Sequence, residues 1–326
     1  MAAKNVLRRA ILYVPGSSQR FLDKSRSLTA DCVAYDLEDS VTPALKAEAR
    51  TAVRRSLDQN LPGGIKERAV RINSVGSGLA LADLQEVVKS KNLTTLVVPK
   101  VEGPGDLTFI RDVLEHSRAE QKRSGQGQQE EGADSTNNVS VLALIESAKS
   151  LLSLNDICRA APGLLQGLVF AAEDYALDMS ITRTPDLTEF LYARQAIATA
   201  ARAYNLPSTI DLVTTSFKSE ADHELLRAEA EQGKGMGYNG KQCIHPSQVD
   251  TVQGIFSPSE REVEWAVRIV IAQKRAEELG KGAWAMDGKM IDAPVEGKAR
   301  AIVAKAGLCG FDVDSLREKW KDQQPE

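Results

Sequence analysis

The chain has 326 residues, 42% of them hydrophobic, with 41 basic and 45 acidic side chains and a formal net charge of −4. That length allows a large core in one or two domains, and the charge balance excludes nucleic-acid binding through a generally basic surface. Cys32, Cys158, Cys243 and Cys309 show no CxxC spacing, which excludes a disulfide framework or cysteine zinc site and leaves reduced, mostly buried thiols. In chain order, the N-terminus carries Lys4, Arg8 and Arg9, but structural sequence begins almost at once, so no clear presequence is expected. No apolar run approaches the ~20 residues that span a bilayer. The expectation is a soluble intracellular protein, in the cytoplasm or mitochondrial matrix, with neither membrane nor nucleic acid as partner.

Short apolar, β-branched runs then recur: Ala10–Pro15, Cys32–Leu37, Ala69–Asn73, Thr95–Lys100, Val139–Glu146, Leu168–Glu173, Thr209–Thr214 and Gly240–His245. Their lengths and flanks favour strands. Helical patterns lie between them, at Ala44–Leu57, Leu79–Ser90, Leu187–Tyr204 and Glu220–Gln232. Strands alternating with helices indicate parallel β/α units. Eight of them predict an α/β fold, a (β/α)8 TIM barrel over residues 1–256 with a C-terminal helical extension. An open doubly wound sheet is the alternative; it would carry a Gly-rich turn after an early strand, and no GxGxxG stands there.

Residues 118–138 are polar and nearly free of large apolar side chains, which predicts a mobile surface insertion. The extension occupies 257–310, opened by Ser257-Pro258-Ser259-Glu260 as a capping box and carrying a second helix near Val295–Ala306; residues 311–326 read as an appended tail. Gly235 and Gly240-Lys241 have P-loop spacing, but Gln242 follows where Ser or Thr belongs. A P-loop runs strand, loop, helix, whereas here a helix precedes the glycines and a strand follows. Gly233, Gly235, Gly237 and Gly240 are therefore expected to turn the chain into the eighth strand, where positive φ is cheap for Gly.

Active-site groups of a barrel lie at the carboxyl ends of its strands. Those ends carry Asp36, Glu38, Asp39, Arg71, Asn73, Lys100, Glu146, Glu173, Asp174 and His245. Any one of these is explained by a wet strand end; the whole set suggests a polar mouth. Glu146 and one of Glu173/Asp174 end neighbouring strands, and two close carboxylates repel unless a cation separates them. Mg²⁺ suits such a pair, since it needs only one or two carboxylates and keeps places for water and substrate oxygens. Glycoside chemistry on two carboxylates is the alternative, disfavoured by only three Trp. Arg71 would face the same mouth as a permanent cation for an enolate or carboxylate oxygen. Arg20 and Lys24, at helical spacing, fit either a phosphate site or an exposed basic edge.

Nine segments in order resemble the HpcH/HpaI aldolase and citrate lyase β-subunit family: LYVPG (12–16), DLEDSV (36–41), VRIN (70–73), VPKVE (98–102), IES (145–147), FAAED (170–174), LYARQ (191–195), IDLV (210–213) and GKQCIHPSQ (240–248). The stand-alone, CoA-dependent branch is the nearest in pattern. The resemblance implies Mg²⁺-dependent cleavage of a 3-hydroxyacyl-CoA such as citramalyl-CoA to acetyl-CoA and pyruvate, with malyl-CoA cleavage or glyoxylate condensation as side activities. It implies Glu146 and Asp174 as metal ligands and Arg71 beside the reacting carbonyl. Tyr13, Arg20 and Lys24 would hold the acyl-CoA, with substrate contacts at Ile244 and His245. Asp292, in GKGAWAMDGKMIDAP, would be the acid/base that reaches a neighbouring subunit's site, in a homo-oligomer of three subunits or a multiple. An aldolase acting on free hydroxy-keto acids and a non-enzymatic binding barrel are the competing readings. The basic pair and the extension favour the CoA enzyme.

Overall fold

The computed structural model describes residues 6–59, 64–123, 139–280 and 282–326. Eight parallel strands form a closed barrel: β1 (Ala10–Pro15), β2 (Cys32–Asp36), β3 (Glu67–Arg71), β4 (Thr95–Val98), β5 (Ser140–Ile145), β6 (Leu165–Phe170), β7 (Ser208–Asp211) and β8 (Gly240–Cys243). Closure comes from β1 against β8, with Ala10 opposite Lys241 and Leu12 opposite Cys243. The fold is the (β/α)8 barrel that the strand count indicates. Its intervening helices include α1 (Gln19–Ser25), α2 (Lys46–Asp58), α3 (Ala80–Val87), α4 (Pro104–Arg123), α5 (Ala148–Leu152), α6 (Leu154–Ala160), α7 (Ala172–Met179), α8 (Leu191–Ala203), α9 (Glu220–Gly235) and α10 (Val249–Ile255).

The chain divides after Gln253 rather than after 256. The second unit contains α11 (Glu260–Glu278), a hairpin of β9 (Trp284–Met286) and β10 (Lys289–Ile291), α12 (Ala293–Cys309) and α13 (Val313–Lys319). Its own core joins Ala266, Ile269, Ala272 and Ala276 of α11 to Trp284, Met286, Ile291 and Ala299. The segment expected as a tail packs here: Phe311, Val313 and Leu316 lie against Val263, Val267 and Ala306, and Glu326 exchanges backbone hydrogen bonds with Ala285.

Four local expectations change. Helix α4 runs through Arg123, into the expected insertion, because Arg, Glu, Gln and Lys are good helix formers even without apolar surface; residues 124–138 lie outside the described residues. The capping box of α11 is Ser259 with Glu262, not Ser257 with Glu260. Strand β6 stops at Phe170, and Glu173 and Asp174 lie in the first turn of α7, where alanine propensity and the helix dipole favour Ala-Glu-Asp. Of the four glycines, Gly233 and Gly235 are inside α9 and only Gly237 has positive φ (+98°). Gly233 and Gly240 serve close approach instead: a Cβ would fall 2.2 Å from Asp211 Oδ2 or 2.0 Å from the Arg8 carbonyl oxygen.

Candidate active site

Successive side chains of a strand face opposite sides of the sheet, so positions two apart share a face. Ile11, Cys32, Ala34, Ala69, Val97, Leu142, Leu144, Val169 and Ile210 pack into one cluster. Stepping two residues toward the strand starts gives Glu67, Thr95, Ser140 and Ser208, which surround Arg8. Stepping the other way gives Tyr13, Asp36, Arg71 and Glu146. The barrel interior is thus polar at its foot, apolar in the middle and polar at its mouth.

At the mouth, Asp36 grips Arg71 with both oxygens, 2.7 Å to Nε and 2.7 Å to Nη2. Burial opposes both charges, but their mutual hydrogen bonds outweigh it, so the Asp36 pKa is lowered and that of Arg71 raised. The guanidinium lies 4.8 Å from the centre of the Tyr13 ring. Tyr13 donates to Gln242 Oε1 at 2.9 Å, and Gln242 in turn donates to the Phe170 carbonyl at 2.9 Å. Burial raises the Tyr13 pKa, keeping the hydroxyl a donor.

Beside this pair stands a group of carboxylates. Glu146, just past β5, is buried, and Lys100 donates its backbone N–H to Glu146 Oε1. The Lys100 ammonium sits 3.0 Å from Glu38 Oε1 and 3.9 Å from Asp174 Oδ1. Glu173, by contrast, turns to Arg183 at 2.5 Å. Glu38 Oε2 is buried without a hydrogen bond, although Arg71 Nη1 lies 3.2 Å away. Burial first, then the charges of Asp174 and Glu38, push the Glu146 pKa up to about 8. Oxygen donors that repel one another this strongly suit a hard divalent cation. Among the described residues no cluster of three or more His, Cys, Asp or Glu forms a ready cage. The fit is therefore to an ion that retains water or substrate oxygens, as Mg²⁺ does.

Residues 9–246 match the model of the HpcH/HpaI aldolase/citrate lyase family. The chain belongs to this family. It is 36% identical over 312 residues to the mitochondrial citramalyl-CoA lyase of Rattus norvegicus, covering 93% of this chain and 87% of that protein. With the (3S)-malyl-CoA thioesterase of Cereibacter sphaeroides it shares 33% identity over 298 residues, covering 91% and 94%. Among solved structures, the CitE protein of Mycobacterium tuberculosis in complex with magnesium, acetoacetate and coenzyme A superposes with a TM-score of 0.68 at 26% identity, covering 93% of this chain and 99% of that one. As an HpcH/HpaI family member the chain is a carbon–carbon lyase.

In this lyase, Tyr13, Arg71, Glu146 and Asp174 come together at one mouth through Asp36, Gln242 and Lys100. Arg20 and Lys24 are exposed on α1. Ile244 is exposed and His245 half-buried just past β8, the imidazole stacked on Phe217 with ring centres 4.3 Å apart. Burial and the charge of Lys24 lower the His245 pKa. Asp292 is in the second unit, half-buried, and caps α12 by accepting from the Val295 N–H at 3.2 Å. Glu38 and Lys100 are visible in sequence only as two strand-end charges among several, and Gln242 only as a break in a P-loop pattern. Interior parity would have found Gln242, because it stands opposite Ile11 in the β1–β8 register.

Proposed function

We propose that the protein is a Mg²⁺-dependent lyase cleaving the carbon–carbon bond of a 3-hydroxyacyl-CoA, with citramalyl-CoA giving acetyl-CoA and pyruvate. One observation carries the reading: a half-buried, permanently charged Arg71 and an oxygen-only carboxylate group open on one mouth, in a chain related to citramalyl-CoA lyase over 93% of its length. When bound by Glu146 and Asp174, the ion supplies Lewis-acid polarisation of the substrate's carboxylate and hydroxyl oxygens.

The chain's residues account for the remaining steps. The substrate hydroxyl gives its proton to solvent water, the oxygen's electron pair forms the pyruvate carbonyl, and the adjacent carbon–carbon bond breaks with its pair passing to the enolate of acetyl-CoA. Arg71, held by Asp36, presents N–H donors to the enolate oxygen without having to reorganise. Asp292 from a neighbouring subunit protonates the enolate carbon, which requires a homo-oligomer, a trimer or a multiple of it. Arg20 and Lys24 take anionic groups of CoA, while Tyr13, Ile244 and His245 border the acyl portion. With glyoxylate the same parts run a malate-synthase-like condensation, and malyl-CoA is the corresponding side substrate. The mitochondrial relatives support a matrix location, which cell fractionation checks.

The test is a Mg²⁺-dependent assay on citramalyl-CoA, malyl-CoA and free citramalate, with products identified by mass. Acetyl-CoA and pyruvate are expected. Free CoA with an intact acid would favour thioester hydrolysis, the activity for which the Cereibacter relative is named. Equal turnover of free citramalate would sink the CoA requirement and favour the free-acid aldolase. Asp292→Asn keeps an equally good helix cap, so it should fold normally and bind metal while turnover falls about 10²–10⁴-fold.

A further inference from the structure

Lys100 follows β4 with φ +51°, a left-handed conformation uncommon for a residue with a Cβ. The bend turns its backbone N–H onto Glu146 while its ammonium reaches Glu38 at 3.0 Å and Asp174 at 3.9 Å. One residue thus contacts all three carboxylates. Of the neighbouring cations, Arg71 grips Asp36 with two nitrogens at 2.7 Å and reaches only Glu38 among the three, with Nη1 at 3.2 Å, and Lys46 donates to the Leu37 and Glu38 carbonyls and to Asn73. The Lys100 side chain is 45% exposed. It borders a cavity of about 290 Å³ whose other walls include Asp39, Asn73, Ser74 and Ser77. An ammonium on a flexible four-carbon stem can swing from Asp174 into that cavity, toward Asp39.

We infer that Lys100 is the resident counter-ion of the mouth, and that a divalent cation enters by exchanging with its ammonium, which moves toward the cavity. The inference rests on reading Glu146 and Asp174 as the cation's ligands. An ammonium 3.9 Å from Asp174 Oδ1 repels a cation arriving there, so Lys100 weakens ion binding while it compensates the carboxylates of the unloaded protein. Lys100 is in this sense a positioning residue that sets how readily the ion loads.

The experiment uses the full chain stripped with EDTA, without substrate, with Mn²⁺ as probe and free Mn²⁺ counted by its electron paramagnetic resonance signal. Lys100→Gln should bind Mn²⁺ on the order of tenfold more tightly than wild type, and Lys100→Arg should stay nearer wild type. Equal or weaker binding by Lys100→Gln overturns the exchange. A second measurement needs no variant: acetylation of Lys100 in the wild-type protein, read by mass spectrometry, should rise when saturating Mn²⁺ is added, and an unchanged or lower yield overturns it. Glu146→Gln should abolish tight Mn²⁺ binding. If that variant binds like wild type, the ligand reading itself fails and the exchange with it, an outcome distinct from a Lys100→Gln affinity that does not move.

Discussion

The foot and the mouth of the barrel both bury charge, and they treat it oppositely. At the foot, Arg8 meets Glu67 through two bonds of 2.6 Å and donates to Ser208 at 2.9 Å and Ser140 at 3.1 Å, with both side chains under 5% exposed. Burial penalises each charge, but one geometry repays both. At the mouth, Asp36 and Arg71 repeat that solution, and beside them Glu38 and Asp174 share the ammonium of Lys100 while Glu146 takes only its backbone N–H. The foot is electrostatically complete within the chain. The mouth holds more negative charge than the chain balances, and this difference separates a structural ion pair from a site that expects a ligand.

The largest effect should come from breaking the complete end. Glu67→Gln leaves Arg8 buried without its carboxylate, so unfolding in urea should show a loss of about 3–5 kcal/mol. The folded fraction should keep wild-type kcat. At the mouth the balance reverses: Glu146→Gln should lower turnover by more than a hundredfold, roughly the upper end for outer-shell changes around a metal. Its metal-free stability at pH 8 should be unchanged or higher, since a repelled carboxylate is gone. A large stability loss there would erase the distinction between the two ends.

The pH dependence of the chelated protein sharpens the same contrast. Burial, then the charges of Asp174 and Glu38, push the folded-state Glu146 pKa up to about 8 from the ordinary 4.5, so between these values the native state holds the extra proton. Stability of the metal-free protein should therefore fall as pH rises through that window. Asp36 and Glu229 have lowered values: burial works against both, and Arg71 for the first and Lys241 for the second outweigh it. Their contribution is present above the unfolded carboxylate range and disappears as pH falls through the folded values. Thermal melts across pH should show both limbs, and Glu146→Gln should flatten only the neutral one. The smallest change expected is Tyr13→Phe, which removes one hydrogen bond to Gln242 and should cost about 0.5–1.5 kcal/mol, read as a shift in the urea midpoint.

Much of the barrel was legible because strands and helices leave different apolar periods. The eight strands begin within three residues of the apolar runs and end within three residues of them. Reading to the ends was weaker, and one error had a consequence. Glu173 and Asp174 look alike as consecutive acids after an apolar run. On a helix they point about 100° apart, and that rotation sends one to Arg183 and the other toward Lys100. Arg183 also bonds Glu229 at 2.5 Å, tying the first turn of α7 into the buried Lys241–Glu229 pair behind the sheet.

By itself the sequence determined the repeating β/α order, the polar character of the strand ends and membership of the family, since these depend on local periodicity and on motifs read along one dimension. Tertiary structure decided which charges neutralise one another. Arg71 and Asp36 are 35 positions apart, Lys100 and Glu38 62. No spacing rule links such pairs, because their distance is set by barrel closure and strand register. Closure is also what gathers three carboxylates around one lysine at the mouth, two at its ammonium and one at its backbone N–H, and the pattern of charge along the chain gives no sign of it.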